Sequence, residues 1–168
     1  MSKAIQLVVY GNGGSGKTTL AKSCVERDGL AHLDLDTIAW ARPGVRQCQK
    51  TSEKLLRKFM SQHDHWVVEG CYSSLISIAA ESANHLVFLN LGIESCMQNC
   101  KSRGWEQQKY ESKEQQDEQL QNLLDWVARY ESRTGEFSLI EHQAIFEVFE
   151  GDKAEIKSKS DAENWVTH

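Results

Sequence analysis

Residues 11–19 constrain the fold of this chain more than any other stretch, because they combine glycines with a lysine and two threonines in a fixed spacing. The run reads Gly11-Asn12-Gly13-Gly14-Ser15-Gly16-Lys17-Thr18-Thr19. It fits the pattern G-x-x-x-x-G-K-[ST], in which glycines let backbone N–H groups turn towards a phosphate. An apolar, β-type run precedes it at residues 4–10, and a helix-forming run follows at residues 20–25. Strand, glycine-rich loop and helix in this order predict a phosphate-binding P-loop.

The P-loop pattern predicts ATP and Mg²⁺ as cofactors. All nine residues are candidates for binding the nucleotide: Gly11, Asn12, Gly13, Gly14, Ser15, Gly16, Lys17, Thr18 and Thr19. Lys17 is also a catalytic candidate, because the lysine of this pattern reaches the β- and γ-phosphates, and the Thr18 hydroxyl is a candidate Mg²⁺ ligand. The alternative is a glycine-rich turn with a chance Gly-Lys pair, which would have to match eight positions in the right context.

Length and composition predict one globular domain over residues 1–168, with 40% hydrophobic and 26% charged residues. The net charge of −5 argues against a nucleic-acid-binding surface spread over the protein. We expect no signal peptide and no membrane span, because no apolar run has the required length. The five scattered cysteines indicate reduced thiols in the cytoplasm. The sequence does not indicate an oligomeric state.

Strand-type and helix-type runs alternate along the chain. The predicted strands are residues 4–10, 30–36, 65–70, 85–91 and 153–157, with helices between them. Ser52 is predicted to cap one helix. Residues 37–50 are predicted to form a loop around Pro43 and Gly44. Residues 105–119 are predicted to form a mobile, polar flap. Residues 137–149 favour a helix, although part of them also fits a strand. The alternation predicts a three-layer α/β fold, with a parallel sheet between helices on both faces.

Carboxylates follow the second and third predicted strands. Asp34 and Asp36 close the second strand and Glu69 lies near the end of the third. Ligands of parallel sheets bind at the carboxyl ends of the strands, so we expect all three near the P-loop. Residues two apart on a strand share a face, which would point Asp34 and Asp36 into one crevice.

Each of these carboxylates has a functional and a plain structural interpretation. Asp34 and Glu69 are candidate Mg²⁺ partners beside Thr18, and Asp36 is a catalytic candidate that would orient or deprotonate an acceptor hydroxyl. Alternatively, Asp34 caps a helix, Asp36 is merely solvated, and Glu69 is a residue of a turn at the strand end.

A P-loop by itself does not separate a kinase from a GTPase or a motor protein. The chain is too short for motor machinery, and it has no guanine-reading [NT]-K-x-D motif, since the similar tetrad at residues 122–125 lacks the lysine. Phosphoryl transfer needs positioning and charge neutralisation, which a lysine, a metal ion and a few arginines supply. These features favour a small kinase.

Cysteine and histidine spacing offers no metal site. Cys96 and Cys100 lie four residues apart without a second pair or a suitably spaced histidine, so we interpret them as core residues. His63 and His65 are interpreted as surface residues. The tryptophans are interpreted as packing residues, with the exception of Trp40, which lies where an acceptor would bind.

Residues 11–19, 32–36 and 66–72 together resemble the adenylate kinase/shikimate kinase superfamily. The resemblance is closest to the adenylate-kinase-related proteins known as DNA topology modulation proteins. Their pattern is a P-loop, then L-D-x-[LD], then W-[IV]-[IV]-[DE]-G-x-Y, and here the last two read Leu33-Asp34-Leu35-Asp36 and Trp66-Val67-Val68-Glu69-Gly70-Cys71-Tyr72. The likeness spans nearly the whole chain, and the P-loop is its one specific motif.

The resemblance implies a five-stranded parallel sheet of order 2-3-1-4-5, an acceptor segment at about residues 36–62 and a lid segment at about residues 101–118. Lys101 and Arg103 would begin the lid, and Arg103 is a catalytic candidate, or else a residue that complements a helix C-terminus. The lid core departs from the family, because residues 106–118 contain no arginine. Arg129 and Arg133 are candidate substitutes. Glu69 also stands where many relatives have aspartate.

These observations predict a kinase that transfers the γ-phosphoryl group of ATP to a small molecule. A nucleotide acceptor would suit Arg42 and Arg46, and a hydroxylated metabolite would suit Asp36 equally well. The alternative is an ATP-binding or ATP-hydrolysing regulatory protein that acts through a partner, which the arginine-poor lid favours. Direct DNA binding is suggested only by the relatives, and the acidic composition argues against it.

Overall fold

The computed structural model of the chain describes residues 3–107 and 109–167. Met1, Ser2 and His168 of the predicted domain, and Gln108 of the predicted lid segment, lie outside the described residues. The elements in chain order are β1 (Gln6–Gly11), α1 (Lys17–Asp28), β2 (Ala31–Asp34), α2 (Asp36–Ala39), β3 (Trp40–Arg42), β4 (Val45–Arg46), α3 (Gln49–Gln62), β5 (Trp66–Gly70), α4 (Ser73–Ser82), β6 (His85–Leu89), α5 (Ile93–Lys101), α6 (Lys113–Ala128), α7 (Leu139–Val148), β7 (Asp152–Ile156) and α8 (Lys159–Asn164).

The main sheet has five parallel strands in the order β2-β5-β1-β6-β7. With every strand counted, this order is 2-5-1-6-7, which differs from the predicted 2-3-1-4-5, because β3 and β4 form a separate antiparallel hairpin that was not predicted. When the hairpin is left out of the count, the five strands lie in the order 2-3-1-4-5. Strand β1 occupies the centre, so the P-loop leaves the middle of the carboxyl edge of the sheet.

Both faces of the sheet are buried, which explains why its strands read as continuous apolar runs. Val8 and Tyr10 of β1 face one apolar cluster, to which α3, α4 and α7 contribute. Leu7 and Val9 face a second cluster, to which α1 contributes. Alternate residues of one strand therefore enter different halves of the core, and the three-layer arrangement follows from that alternation.

The segment at residues 37–50 differs most from its prediction. It contains α2, the β3–β4 hairpin and the start of α3 instead of a loop. Pro43 and Gly44 do form the turn, with Gly44 in the left-handed region at φ 76°. Helix α3 begins at Gln49, and Ser52 lies inside it and donates a hydrogen bond to the Ile38 carbonyl at 2.8 Å instead of capping the helix. The strands of this hairpin are too short to show a period-2 pattern in the sequence.

Strand β2 ends at Asp34, and Asp36 is the first residue of α2. The prediction that both carboxylates share one strand face was therefore wrong in its premise. Asp34 Oδ1 accepts a hydrogen bond from the Asp36 backbone N–H at 2.9 Å, which forms a local turn before α2. The cap residue of α2 is Leu35, so Asp34 is not the helix cap that the sequence left open.

One more boundary differs from the sequence interpretation, and one alternative that the sequence left open is decided. Helix α6 begins at Lys113 with Ser112 as its cap, so the second half of the predicted polar flap is helical. Residues 139–148 form helix α7, as favoured, and not a strand. Within the described ranges, no helix has both the length and the apolar composition needed to cross a membrane.

Candidate functional site

The P-loop joins β1 to α1 and places the N-terminus of α1 at the carboxyl edge of the sheet. The first N–H groups of a helix have no acceptor within the helix, and the helix dipole makes this end positive. Gly14 and Gly16 lie in the left-handed region, with φ values of 75° and 89°. A Cβ atom at Gly14 would lie 2.3 Å from the Cys96 carbonyl oxygen, so this position requires glycine. Such a loop and helix start suit an anion.

Two side chains of the loop are placed where they could contact a phosphate. Lys17 Nζ donates a hydrogen bond to the carbonyl of Asn12 at 2.7 Å, so the ammonium group lies over the loop. Ser15 Oγ is buried and has no hydrogen-bond partner, a condition it shares with only one other side-chain atom among residues 3–107 and 109–167. Buried hydroxyls are normally satisfied, and a phosphate oxygen would satisfy this one.

A cavity of about 750 Å³ opens in front of the P-loop. This volume is in the range of small-molecule sites, about 300–1,000 Å³. The lining comes from five parts of the chain: the glycine-rich loop with α1, β2 with α2, the segment after β6 with α5, the lid segment, and the C-terminal α8 region. Its residues include Gly14, Ser15, Gly16, Lys17, Thr18, Thr19, His32, Asp34, Thr37, Arg103, Trp105, Glu106, Lys109, Lys159 and Trp165.

Two of the three predicted metal-site residues, Thr18 and Asp34, line this cavity, and the third, Glu69, does not line it but contacts Thr18. Thr18 Oγ1 donates to Glu69 Oε1 at 2.9 Å, and Glu69 is only 2% exposed. Asp34 and Glu69 are paired across the neighbouring strands β2 and β5. Burial, together with the negative charges of Glu69 and Asp36, raises the pKa of Asp34 to about 6. His32 Nε2 lies 3.3 Å from Glu69 Oε1 and was not predicted to be part of the site.

This set fits a phosphate-bound Mg²⁺ better than an independent metal centre. In the described part of the chain, no group of three or more His, Cys, Asp or Glu side chains could hold a metal ion. Mg²⁺ in nucleotide sites keeps several waters and takes one or two carboxylates beside the phosphates. A cation here would also offset the repulsion between Asp34 and Glu69. Thr18, Asp34 and Glu69 are therefore suited to hold Mg²⁺ together with a nucleotide.

Asp36, the predicted catalytic carboxylate, does not line the cavity formed by the described residues, and it belongs to a hydrogen-bonded chain beside the lining residue Lys109. Its Oδ1 accepts from the Tyr72 hydroxyl at 2.5 Å, and the Tyr72 oxygen accepts from Trp40 Nε1 at 2.8 Å. Burial and the charge of Asp36 raise the pKa of Tyr72, which keeps its hydroxyl protonated as the donor. The sequence included Tyr72 in a motif without a role, and no local signal connects it to Asp36.

Arg46, one of the two arginines considered for a phosphate-bearing acceptor, is engaged by aromatic rings. Its guanidinium carbon lies 4.7 Å from the ring centre of Tyr72, 5.3 Å from that of Trp40 and 5.9 Å from that of Phe137. It also pairs with Glu136 at 3.4 Å. Arg42 is exposed on the hairpin.

The lid segment brings two cations to the cavity, and Glu106 contacts both. Arg103 Nη1 lies 3.7 Å and Lys109 Nζ 3.3 Å from Glu106 oxygens, and Lys109 also lies 3.4 Å from Asp36 Oδ2. Burial by itself would lower the pKa of Lys109, but Asp36 and Glu106 outweigh it and raise that pKa. Lys109, to which the sequence analysis gave no role, therefore links the lid segment to the carboxylate of Asp36.

Gln116 holds this part of the lid in place. It is 8% exposed, accepts from the Glu106 backbone N–H at 2.8 Å and donates to the Gly104 carbonyl at 2.9 Å. The sequence does not single out Gln116, because it is one of several glutamines in a polar run and no local pattern indicates which of them is buried.

Arg129 and Arg133, the candidate substitutes for lid arginines, do not line the cavity formed by the described residues. Arg129 Nε donates to the Asp125 carbonyl one turn earlier. Arg133 is directed at backbone carbonyls and at Asn12. Cys96 and Cys100 are buried in an apolar cluster with Leu124 and Val127, in agreement with the core interpretation.

A scan of protein families finds no model that matches this chain, and a search of curated proteins finds no match either. Among solved structures, the chain is similar to an unliganded sugar kinase from Janibacter sp. HTCC2649, with a TM-score of 0.51 and 14% identity over 92% of this chain and 85% of that chain. At this identity the likeness concerns the fold alone. The chain thus has a kinase-like α/β fold with a parallel sheet, and membership of the adenylate-kinase-like family does not follow from the likeness.

Proposed function

We propose that this protein is an ATP-dependent kinase, which transfers the γ-phosphoryl group of ATP to a hydroxyl group of a small molecule. One observation carries the proposal: the glycine-rich loop with Lys17, the carboxylate of Asp34 and two lid cations line one cavity. An unpartnered buried Ser15 hydroxyl inside the loop supports a phosphate as the ligand. We treat the whole chain, residues 1–168, as one kinase domain.

The ATP half of the site would consist of residues 11–19. Their backbone N–H groups and Lys17 would hold the phosphates, and Thr18, Asp34 and Glu69 would hold the metal ion. When bound, Mg²⁺ supplies charge neutralisation on the phosphate oxygens. Arg103 of the lid would contact the transferring group from the opposite side.

The acceptor half would centre on Asp36. Tyr72 orients this carboxylate by donating to one oxygen, which leaves the other, now near Lys109, to accept a proton from the acceptor hydroxyl. The acceptor would bind against residues 36–62 and is a nucleotide or a hydroxylated metabolite. The fold neighbour is a sugar kinase, which is consistent with a hydroxyl acceptor.

The proposal is tested by phosphoryl transfer from labelled ATP–Mg²⁺ to a panel of nucleotides, sugars and hydroxy acids. We expect transfer to at least one acceptor class, and loss of that transfer in Lys17→Ala. Binding of ATP without transfer to any acceptor would contradict the kinase proposal.

A regulatory, ATP-binding protein remains the second candidate, and one observation favours it. Glu106 already contacts both lid cations, so the described lid residues provide no unengaged positive charge from Arg103 or Lys109. Such a protein would bind ATP and hydrolyse it slowly at a rate that no small acceptor increases, whereas a kinase would show acceptor-dependent consumption of ATP.

A further inference from the structure

A network of hydrogen bonds outside the cavity joins the start of the P-loop to the end of helix α6. Asn12 is 2% exposed, and its Nδ2 donates to the Val127 carbonyl at 3.1 Å. Its Oδ1 accepts from the Gly13 N–H at 2.8 Å, and its own carbonyl accepts from Lys17 Nζ at 2.7 Å. Asn12 thus connects the Lys17 ammonium to the C-terminal end of α6.

Arg133 contacts both Asn12 and the end of α6. Its Nε donates to the Phe137 carbonyl at 2.9 Å, its Nη1 to the Trp126 carbonyl at 2.7 Å and its Nη2 to Asn12 Oδ1 at 3.4 Å. The guanidinium carbon also lies 4.0 Å from the ring centre of Trp126. A guanidinium is a rigid, planar fork, so three acceptors and a stacked ring define its position.

The backbone of the P-loop rests directly on the same helix end. A Cβ atom at Gly13 would lie 2.9 Å from Trp126 Cζ3 and 3.2 Å from Val127 Cγ2. The loop therefore cannot approach α6 more closely, and the hydrogen bonds of Asn12 keep it from moving away. Close packing and directional bonds together define one position for the loop.

We propose that Arg133 is a positioning residue, which acts through Asn12 and Trp126 to fix the P-loop and thereby the Lys17 ammonium. The expected effect of Arg133 on ATP affinity rests on the proposed function, whereas its effect on the position of the loop does not. Gln116 holds the lid near the other end of α6. The same helix thus supports both the lid and the P-loop.

Hydrogen exchange in the ligand-free protein tests the effect on the loop. Arg133→Lys keeps the charge but removes the planar guanidinium. It should speed exchange of the Gly13 and Ser15 amides, which are bonded to Asn12, by about tenfold, the loss expected for one hydrogen bond to a charged group. The matched control is Arg129→Lys, since the Arg129 side chain donates to the Asp125 carbonyl and not to Asn12 or Trp126, and the exchange of the same amides in this variant should match the unmutated protein. Equal exchange in both variants would overturn the proposal. Asn12→Ala gives a second, independent test and should speed the same amides.

Nucleotide binding distinguishes positioning from direct contact with phosphate. If Arg133 acts through Asn12, Arg133→Lys and Asn12→Ala should each lower the affinity for ATP and for ADP by a similar factor, about tenfold. The double variant should be little worse than either single one, because residues in one network are not additive. A loss of affinity for ATP but not for ADP would overturn the proposal. So would a double variant in which the two losses of affinity add independently. If the unmutated protein bound neither nucleotide, the proposed function would fail, and hydrogen exchange would still decide the role of Arg133.

Discussion

The two sides of the cavity are held in place by different kinds of interaction. On the P-loop side, backbone N–H groups, a buried asparagine and the end of α6 fix the geometry. On the lid side, ion pairs between side chains that are 26–40% exposed link Arg103, Glu106, Lys109 and Asp36. Buried hydrogen bonds are insensitive to salt, whereas partly exposed ion pairs are screened and contribute little stability. We therefore expect the P-loop side to determine whether a nucleotide binds, and the lid side to adjust how tightly.

Lys17→Ala should have the largest effect on the P-loop side. The unmutated protein should be stabilised by ATP–Mg²⁺ by about 2.7 kcal/mol at a hundredfold excess over Kd, and the variant should show no stabilisation. The fold should remain intact, because Lys17 bonds to the loop and not to the core. A thermal-shift titration measures this, with the exposed Lys54→Ala as control. Absence of any shift in the unmutated protein would contradict nucleotide binding.

Asp36→Asn and Asp34→Asn should separate the two ends of the site. Asp36→Asn should reduce transfer by about a hundredfold or more, as expected for loss of a general base, and leave ATP affinity within about threefold. Asp34→Asn should instead weaken metal-dependent turnover with every acceptor, because Asp34 lies beside Glu69 and Thr18. Steady-state kinetics over a range of Mg²⁺ concentrations compare the two. The reverse pattern would show that the roles are exchanged.

The buried His142 should make the stability of the protein depend on pH. It bonds to the Tyr130 hydroxyl at 2.6 Å and to the Cys71 carbonyl at 2.9 Å, and burial lowers its pKa to about 4. Because the folded state disfavours the charged form, its contribution to stability is complete above the unfolded pKa of about 6.5 and is lost as the pH falls towards 4. Urea unfolding should show this loss between pH 6.5 and 4, and His142→Gln should flatten the dependence in that range. An unchanged slope in the variant would assign the loss to other groups.

Glu106→Gln should have the smallest effect, on the lid side. It removes the ion-pair partner of Arg103, while Lys109 keeps its contact with Asp36, and it should raise ATP affinity by about two- to threefold at low salt, in keeping with exposed ion pairs. At about 0.5 M salt the gain should disappear, because the screening length falls to a few ångströms. Titrations at both salt concentrations measure it, with Glu111→Gln, an exposed residue of the same segment, as control. A gain that persists at high salt would mean that the lid is held by something other than ion pairs.

Much of the fold was predictable, because the patterns behind it are local. The buried strands β1, β5 and β6 read as apolar runs, and α1 ends at Gly29, whose φ of 68° requires a residue tolerant of the left-handed region. The β3–β4 hairpin was missed, because strands of two and three residues leave no periodicity to detect. Asp36 was misplaced for a related reason, since the boundary between β2 and α2 lies within a run of alternating apolar and acidic residues.

The strand, glycine-rich loop and helix at residues 6–28 could be predicted from the sequence alone, since the three parts are contiguous and the left-handed φ values of Gly14 and Gly16 are a local requirement of the backbone. The hydrogen-bond partners of the buried polar groups could not be predicted from the sequence. Asn12 meets Arg133 across 121 residues, Tyr72 meets Asp36 across 36, and Gln116 meets Glu106 across a helix start. Arginine, tyrosine and glutamine in polar surroundings look alike in a sequence whether they are solvated or buried. Only the packing of α6 against the P-loop, and of α2 against the residues after β5, decides which acceptor each donor reaches.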